Sequence, residues 1–233
     1  MDSLFSTSFI EKLTNNLIIP EINDKRKFVN NWQQSIIGDR KKETSIDVPF
    51  YTMLFDNLLG YTFYGRGEKE YDFSNEEHII KTGDADFALG TFNGQIDIEV
   101  AGELKSLYAD LDKPQKRKHD MFSPAEQGLN YLHNLPESAK FLIVSNMNEI
   151  RLYKRGVKNK YESFFFVLPD DKKKEGKIDL TSDKELKKLI YLLRKENLLS
   201  IDKESKTEKL LKEQGDEEKQ IEKKFYLEYK EFR

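Results

Sequence analysis

Asp86, Glu103 and Lys105 are the residues of this chain whose types and spacing best suit phosphodiester chemistry. Glu103 and Lys105 are two apart in a stretch with alternating apolar residues. On a strand both side chains would therefore leave one face, roughly 7 Å apart. Asp86 precedes the apolar run Phe87-Ala88-Leu89, and the Asn93-Gly94 pair beyond it reads as a hairpin turn. Such a hairpin would bring the Asp86 carboxylate beside Glu103. Hydrolysis of a phosphodiester needs a divalent cation to offset charge in the transition state and to lower the pKa of an attacking water. Mg2+ takes one or two carboxylates, with waters and the substrate phosphate completing its shell. Asp86 and Glu103 would hold Mg2+, or Mn2+ in its place, while Lys105 orients or deprotonates the water.

Other acids compete for these roles. Asp84 shares the face of Asp86 if the strand already extends there, which makes it the alternative first ligand. Glu99 shares the face of Glu103 on ideal alternation, but four residues is roughly 13 Å, too far for one ion unless a bulge at Ala101-Gly102 shortens the path. Glu99 is then a second-metal or substrate-side acid. Taken alone, Glu-x-Lys on a strand is more often an ordinary surface ion pair, so its context must decide.

The elements around these residues are legible from periodicity. Phe9, Ile10 and Leu13, then Phe28, Val29, Trp32, Ile36 and Ile37, have helical spacing. A third helix over 48–59 carries Phe50, Leu54 and Leu58 and stops at Gly60. From His78 the period becomes that of strands, with 96–107 as the second arm of the hairpin; there Ile96, Ile98, Val100 and Leu104 face the core and the charged odd positions the other side. Ser123-Pro124-Ala125-Glu126 has the form of a capping box with proline in the first turn, opening a helix to about Leu135. Strands follow at 140–145, 150–153 and 164–167, and an amphipathic helix is expected around Leu186, Ile190, Leu193 and Leu198. The last stretch, 201–233, mixes charges of both signs and reads as a solvated helical linker.

Composition narrows the classes. A chain of 233 residues holds one good core with additions, hence one active site at most. With no cysteine and three scattered histidines, a structural zinc site or thiol nucleophile is untenable. The net charge of −3 gives no global attraction to a polyanion, so nucleic-acid contact would need a local basic patch. Lys113, Lys116, Arg117 and Lys118 form the densest such run, directly after the Glu-x-Lys strand, and suit sequence-independent phosphate contacts. No apolar run approaches a membrane span and the N-terminus lacks a signal-peptide pattern, so the expectation is a cytoplasmic protein.

The order of motifs over 83–153 resembles the nuclease region of type IIG restriction-modification enzymes, single chains that fuse an endonuclease to an adenine methyltransferase. Asp86 looks like that family's first acid and Gly102-Glu103-Leu104-Lys105 like its Glu-x-Lys. Ala109-Asp110-Leu111-Asp112-Lys113-Pro114-Gln115 resembles the following loop, Gln127 and Tyr131 its Gln-x-x-x-Tyr helix, and 141–146 with 150–153 its next strand pair. The resemblance implies an α/β fold with a PD-(D/E)XK restriction-endonuclease-like core: a mixed central sheet flanked by helices, with helical additions at both ends. The implied nuclease domain is 1–200, comprising a helical region over 1–60, a catalytic core of about 78–168 and a helix at 182–200. It also implies double-stranded DNA as substrate, Gln127 beside the metal, and Glu43 as an accessory acid. Methyltransferase and target-recognition domains would belong to the full-length protein, since the chain carries neither methyltransferase motif. One active site per chain would nick DNA or pair transiently as a homodimer on it. Two rival readings remain: a non-catalytic docking module of the same fold, and the nuclease domain of a type I restriction motor subunit, whose Gln-x-x-x-Tyr helix is similar.

Overall fold

The computed structural model describes residues 3–37, 43–65, 70–79, 83–94, 96–114, 121–200 and 204–231. Its centre is a six-stranded mixed sheet in the order β1 (Tyr71–Ile79), β2 (Gly83–Phe92), β3 (Ile96–Leu104), β4 (Phe141–Ser145), β5 (Glu149–Lys154), β6 (Glu162–Phe165). All neighbouring pairs are antiparallel except β3 and β4. A parallel pair needs a crossover, which here contains α4 (Pro124–Asn134). The architecture is thus α/β, as the sequence implies, though the sheet begins at Tyr71, earlier than the expected strand start at His78.

Alternation along the strands divides the core into two layers. Phe87, Leu89, Val100, Ile143, Ile150 and Leu152 belong to the larger one, which also takes in the helices at both ends of the chain. These are α1 (Thr7–Thr14), α2 (Ile22–Ile36), α3 (Glu43–Tyr51), α6 (Asp183–Leu193), α7 (Lys195–Leu198) and the start of α8 (Lys206–Glu231); the short α5 (Asp170–Lys174) has no buried residue. On the other face, Ala88, Ala101, Leu142 and Val144 pack with α4 and with Leu111 from the loop that precedes it. The small residues allow α4 to lie close: a Cβ on Gly128 would come within 2.8 Å of the Leu142 side chain. Ser123 caps α4 with the reciprocal Glu126 bond that its sequence anticipates.

The third helix starts five residues before the expected Val48 and includes Pro49. Proline cannot donate to the preceding turn, and the chain widens just beyond it into a π-helical stretch, Thr52–Leu58. Its Phe55, with Tyr51 of α3 and Phe73 of β1, encloses the Phe87 ring at centroid distances of 4.9, 5.5 and 5.9 Å.

The charged C-terminal stretch differs from the expected solvated linker. Thr207, Leu210 and Gln214 of α8 are buried, and Gln214 accepts a 2.7 Å hydrogen bond from the Ser6 N–H. Only from about Asp216 does the helix leave the body. No helix among the described residues is long and apolar enough to cross a membrane.

Candidate active site where two strands part

The β2–β3 ladder runs from the Asn93-Gly94 end of the hairpin to the pair Phe87↔Gly102. One further step in the same register sets Asp86 opposite Glu103. There the ladder changes character: the Leu104 N–H is taken by the Asp86 side chain, at 2.7 Å. On its far side β3 remains paired with β4, and the Lys105 N–H extends that pairing by donating to the Ser145 carbonyl at 2.8 Å. β2 meanwhile continues with β1 to Gly83↔Ile79. Asp86, Glu103 and Lys105 therefore gather where the two halves of the sheet separate.

Glu103 and Lys105 lie on the α4 side, in step with Ala101. The Glu103 side chain is fully buried and ion-paired with the Lys105 ammonium, which is also 4.0 Å from an Asp86 carboxylate oxygen. The Asp86 side chain is 34% exposed, so the cluster opens to solvent on that side. Gly102 is required by packing, because a Cβ there would stand 2.3 Å from the Phe87 ring. The aromatic box around Phe87 thus fixes the backbone that carries Asp86 and the backbone that carries Glu103.

Asp86 and Glu103 carry carboxylate oxygens of the kind that Mg2+ takes together with waters and phosphate, and the Lys105 ammonium lies against both. Among the described residues no group of three or more His, Cys, Asp or Glu side chains is arranged around one point as a metal cage. Mg2+ rarely uses a cage made only of protein, so the pair is chemically sufficient for it.

The sequence places Glu99 on the face of Glu103, and the structure corrects this. A bulge lies at Glu99 itself, where the register steps from Leu89↔Val100 to Gly90↔Ile98. One extra residue reverses the alternation, so Ile98 joins Ala101 on the α4 side and Glu99 turns to the opposite face. Its carboxylate accepts a 2.7 Å bond from the Ser200 N–H and borders a cavity of about 310 Å3 with Asp72 and Lys195. Burial raises its pKa against the opposing Ser200 hydrogen bonds.

Gln127 and Tyr131 share a helix face and are joined to each other, the Gln127 amide donating to the Tyr131 hydroxyl. Lys113 is exposed and paired with Asp110 at 2.6 Å. Lys116, Arg117 and Lys118 lie outside the described residues, as do the side chains of Asp84 and Glu43; the backbones of these two belong to β2 and α3.

Sequence reasoning missed Arg151. It lies between Ile150 and Leu152, which face the larger core, and its side chain leaves the other face, where Asp112 and Glu149 bind it. The available signal was a glutamate and an arginine two apart on a strand whose intervening Ile150 and following Leu152 are apolar. Asp112, its partner from the loop, carried none.

No family model and no curated protein matches the sequence, and no solved structure matches the fold.

Proposed function

We propose that this chain is a metal-dependent DNA endonuclease domain with a PD-(D/E)XK core, of the kind found in type IIG restriction-modification enzymes. The observation that carries the reading is the meeting of Asp86, Glu103 and Lys105 where β2 and β3 part. A surface ion pair would be exposed, whereas Glu103 is fully buried. Holding a carboxylate in a dry site costs several kcal/mol unless cations compensate it, so a solvent-facing strand had no need of this arrangement.

In this reading Asp86 and Glu103 hold Mg2+, which when bound supplies charge neutralisation at the scissile phosphate and a more acidic water. Lys105 orients the water or takes its proton, and its charge favours the phosphorane-like transition state. Gln127 contributes to the substrate side of α4, Lys113 and the basic run after it grip phosphates, and double-stranded DNA is the substrate. Sequence choice would fall to a target-recognition domain accompanying a methyltransferase, and the setting is cytoplasmic.

Supercoiled plasmid at low salt tests this reading. The chain should nick it with Mg2+ or Mn2+, stop on chelation, and lose the activity on Glu103→Ala. Equal DNA binding by both proteins without nicking by either would favour the docking-module alternative.

A further inference from the structure

The segment joining the Glu-x-Lys strand to the basic run, residues 106–114, contains neither helix nor strand, yet it is tied down along its length. The Tyr108 hydroxyl donates to the Ile36 carbonyl at 3.0 Å, and the Asn146 amide donates to the Ala109 carbonyl at 2.7 Å. Leu111 is buried under α4, and its carbonyl accepts from the Ala125 N–H at 3.2 Å. The last tie is the most specific. Arg151 of β5 presents two nitrogens to Asp112, at 2.7 and 2.9 Å, and two to Glu149, at 2.7 and 3.1 Å. Its guanidinium also lies 4.6 Å from the centre of the Tyr161 ring.

The two carboxylates have different settings. Glu149 is on the same strand as Arg151 and nearly buried, so that pair is internal to the sheet. Asp112 is half-exposed and comes from the loop, immediately before Lys113. A planar fork bound at two points fixes orientation as well as distance, which a single lysine contact would not.

We propose that Arg151 is a positioning residue which, through Asp112, fixes the loop at Lys113, whose exposed ammonium pairs with Asp110 at 2.6 Å, and so prepares the segment after the Glu-x-Lys strand to receive the DNA backbone. The inference rests on the nuclease reading. It assigns Arg151 no contact with the reacting atoms. Its effect is on DNA binding, because a phosphate-binding loop already ordered does not lose that freedom when the duplex arrives.

Asp112→Asn is the most informative variant. It removes one charge from a half-exposed position and leaves Arg151 bound to Glu149 and stacked on Tyr161, so the fold should survive. Duplex affinity is measured by fluorescence anisotropy without divalent cations over a series of salt concentrations, and cleavage with Mg2+. Asp112→Asn is expected to weaken duplex binding and raise KM by about three- to tenfold, with kcat within about twofold. The slope of log affinity against log salt should fall by about 1, as one phosphate contact is lost. Lys113→Ala should give the same binding loss, and the double variant little more than either alone, because both remove one contact. Arg151→Lys, which keeps the charge but loses the fork, should resemble Asp112→Asn.

Unchanged affinity and salt slope in Asp112→Asn would overturn the proposal, as would fully additive losses with Lys113→Ala or a fall in kcat at constant KM. The binding arm separates this inference from the nuclease reading. A wild type that binds duplex without cutting it, and is weakened by Asp112→Asn, keeps the clamp and loses the nuclease. Cleavage and duplex binding that are the same in the wild type and in Asp112→Asn do the reverse.

Discussion

Glu103 is fully buried, and its ion partner Lys105 is nearly so, which makes each residue necessary to the other's burial. Removing one member of such a pair leaves an uncompensated charge and typically costs about 3–5 kcal/mol. Lys105→Met should lower stability to urea on that scale, and adding Glu103→Gln should recover much of the loss, since no buried charge then remains at either position. Glu99 obeys a different balance. Burial raises its folded-state pKa above the ordinary 4.5, so its contribution is fully present below the unfolded-state pKa and is lost as pH rises through the folded-state value. Glu99→Gln imitates the protonated form. Its melting temperature should exceed that of the wild type at neutral pH, and the two curves should converge as pH falls below about 4.

β3 shows why an element can be anticipated while its faces are misassigned. Its two anchors, the Asn93-Gly94 turn and the Gly102-Glu103-Leu104-Lys105 motif, are local and were readable, as was the capping box of α4. The bulge at Glu99 was not, because it depends on how β2 lies against β3, where the Asp97 carbonyl would stand 2.0 Å from any Cβ at Gly90. The same holds for β1, whose polar sequence is a strand by virtue of pairing with β2, and for the π-helical stretch that fits around Phe87. The candidate triplet was legible because strand alternation over two residues is nearly exact. Arg151 and Asp112 meet from 39 residues apart and were not. Gly102 tests the element directly: Gly102→Ala forces the Phe87 ring aside in a closed aromatic box and should cost about 1–3 kcal/mol in urea melts, as overpacked cores do.

Over the described residues, one face of the sheet is covered by helices from both ends of the chain and the other by α4 with the loop before it. The thin face carries the candidate site. On the thick face Glu162, itself fully buried, accepts from the Phe5 N–H at 2.7 Å and pairs with Lys188 of α6 at 2.6 Å, binding the two chain ends to β6. α8 divides along its length. Leu210 is buried with that assembly, whereas Phe225 is 73% exposed. Leu210→Ala should therefore destabilise the protein by about 2–5 kcal/mol, and Phe225→Ser should stay within about 0.5 kcal/mol of the wild type, both read from urea melts.

The measurement closest to the central claim compares Glu103→Gln with Glu99→Gln in nicking of supercoiled plasmid with Mg2+. The two substitutions are chemically identical, four residues apart on one strand, and on opposite faces of the sheet. Cleavage should fall by at least about a hundredfold for Glu103→Gln, the scale of a lost catalytic group, and remain at the wild-type rate for Glu99→Gln. Nicking that survives Glu103→Gln, or that is lost equally with Glu99→Gln in a folded protein, would contradict an active site at the parting of β2 and β3.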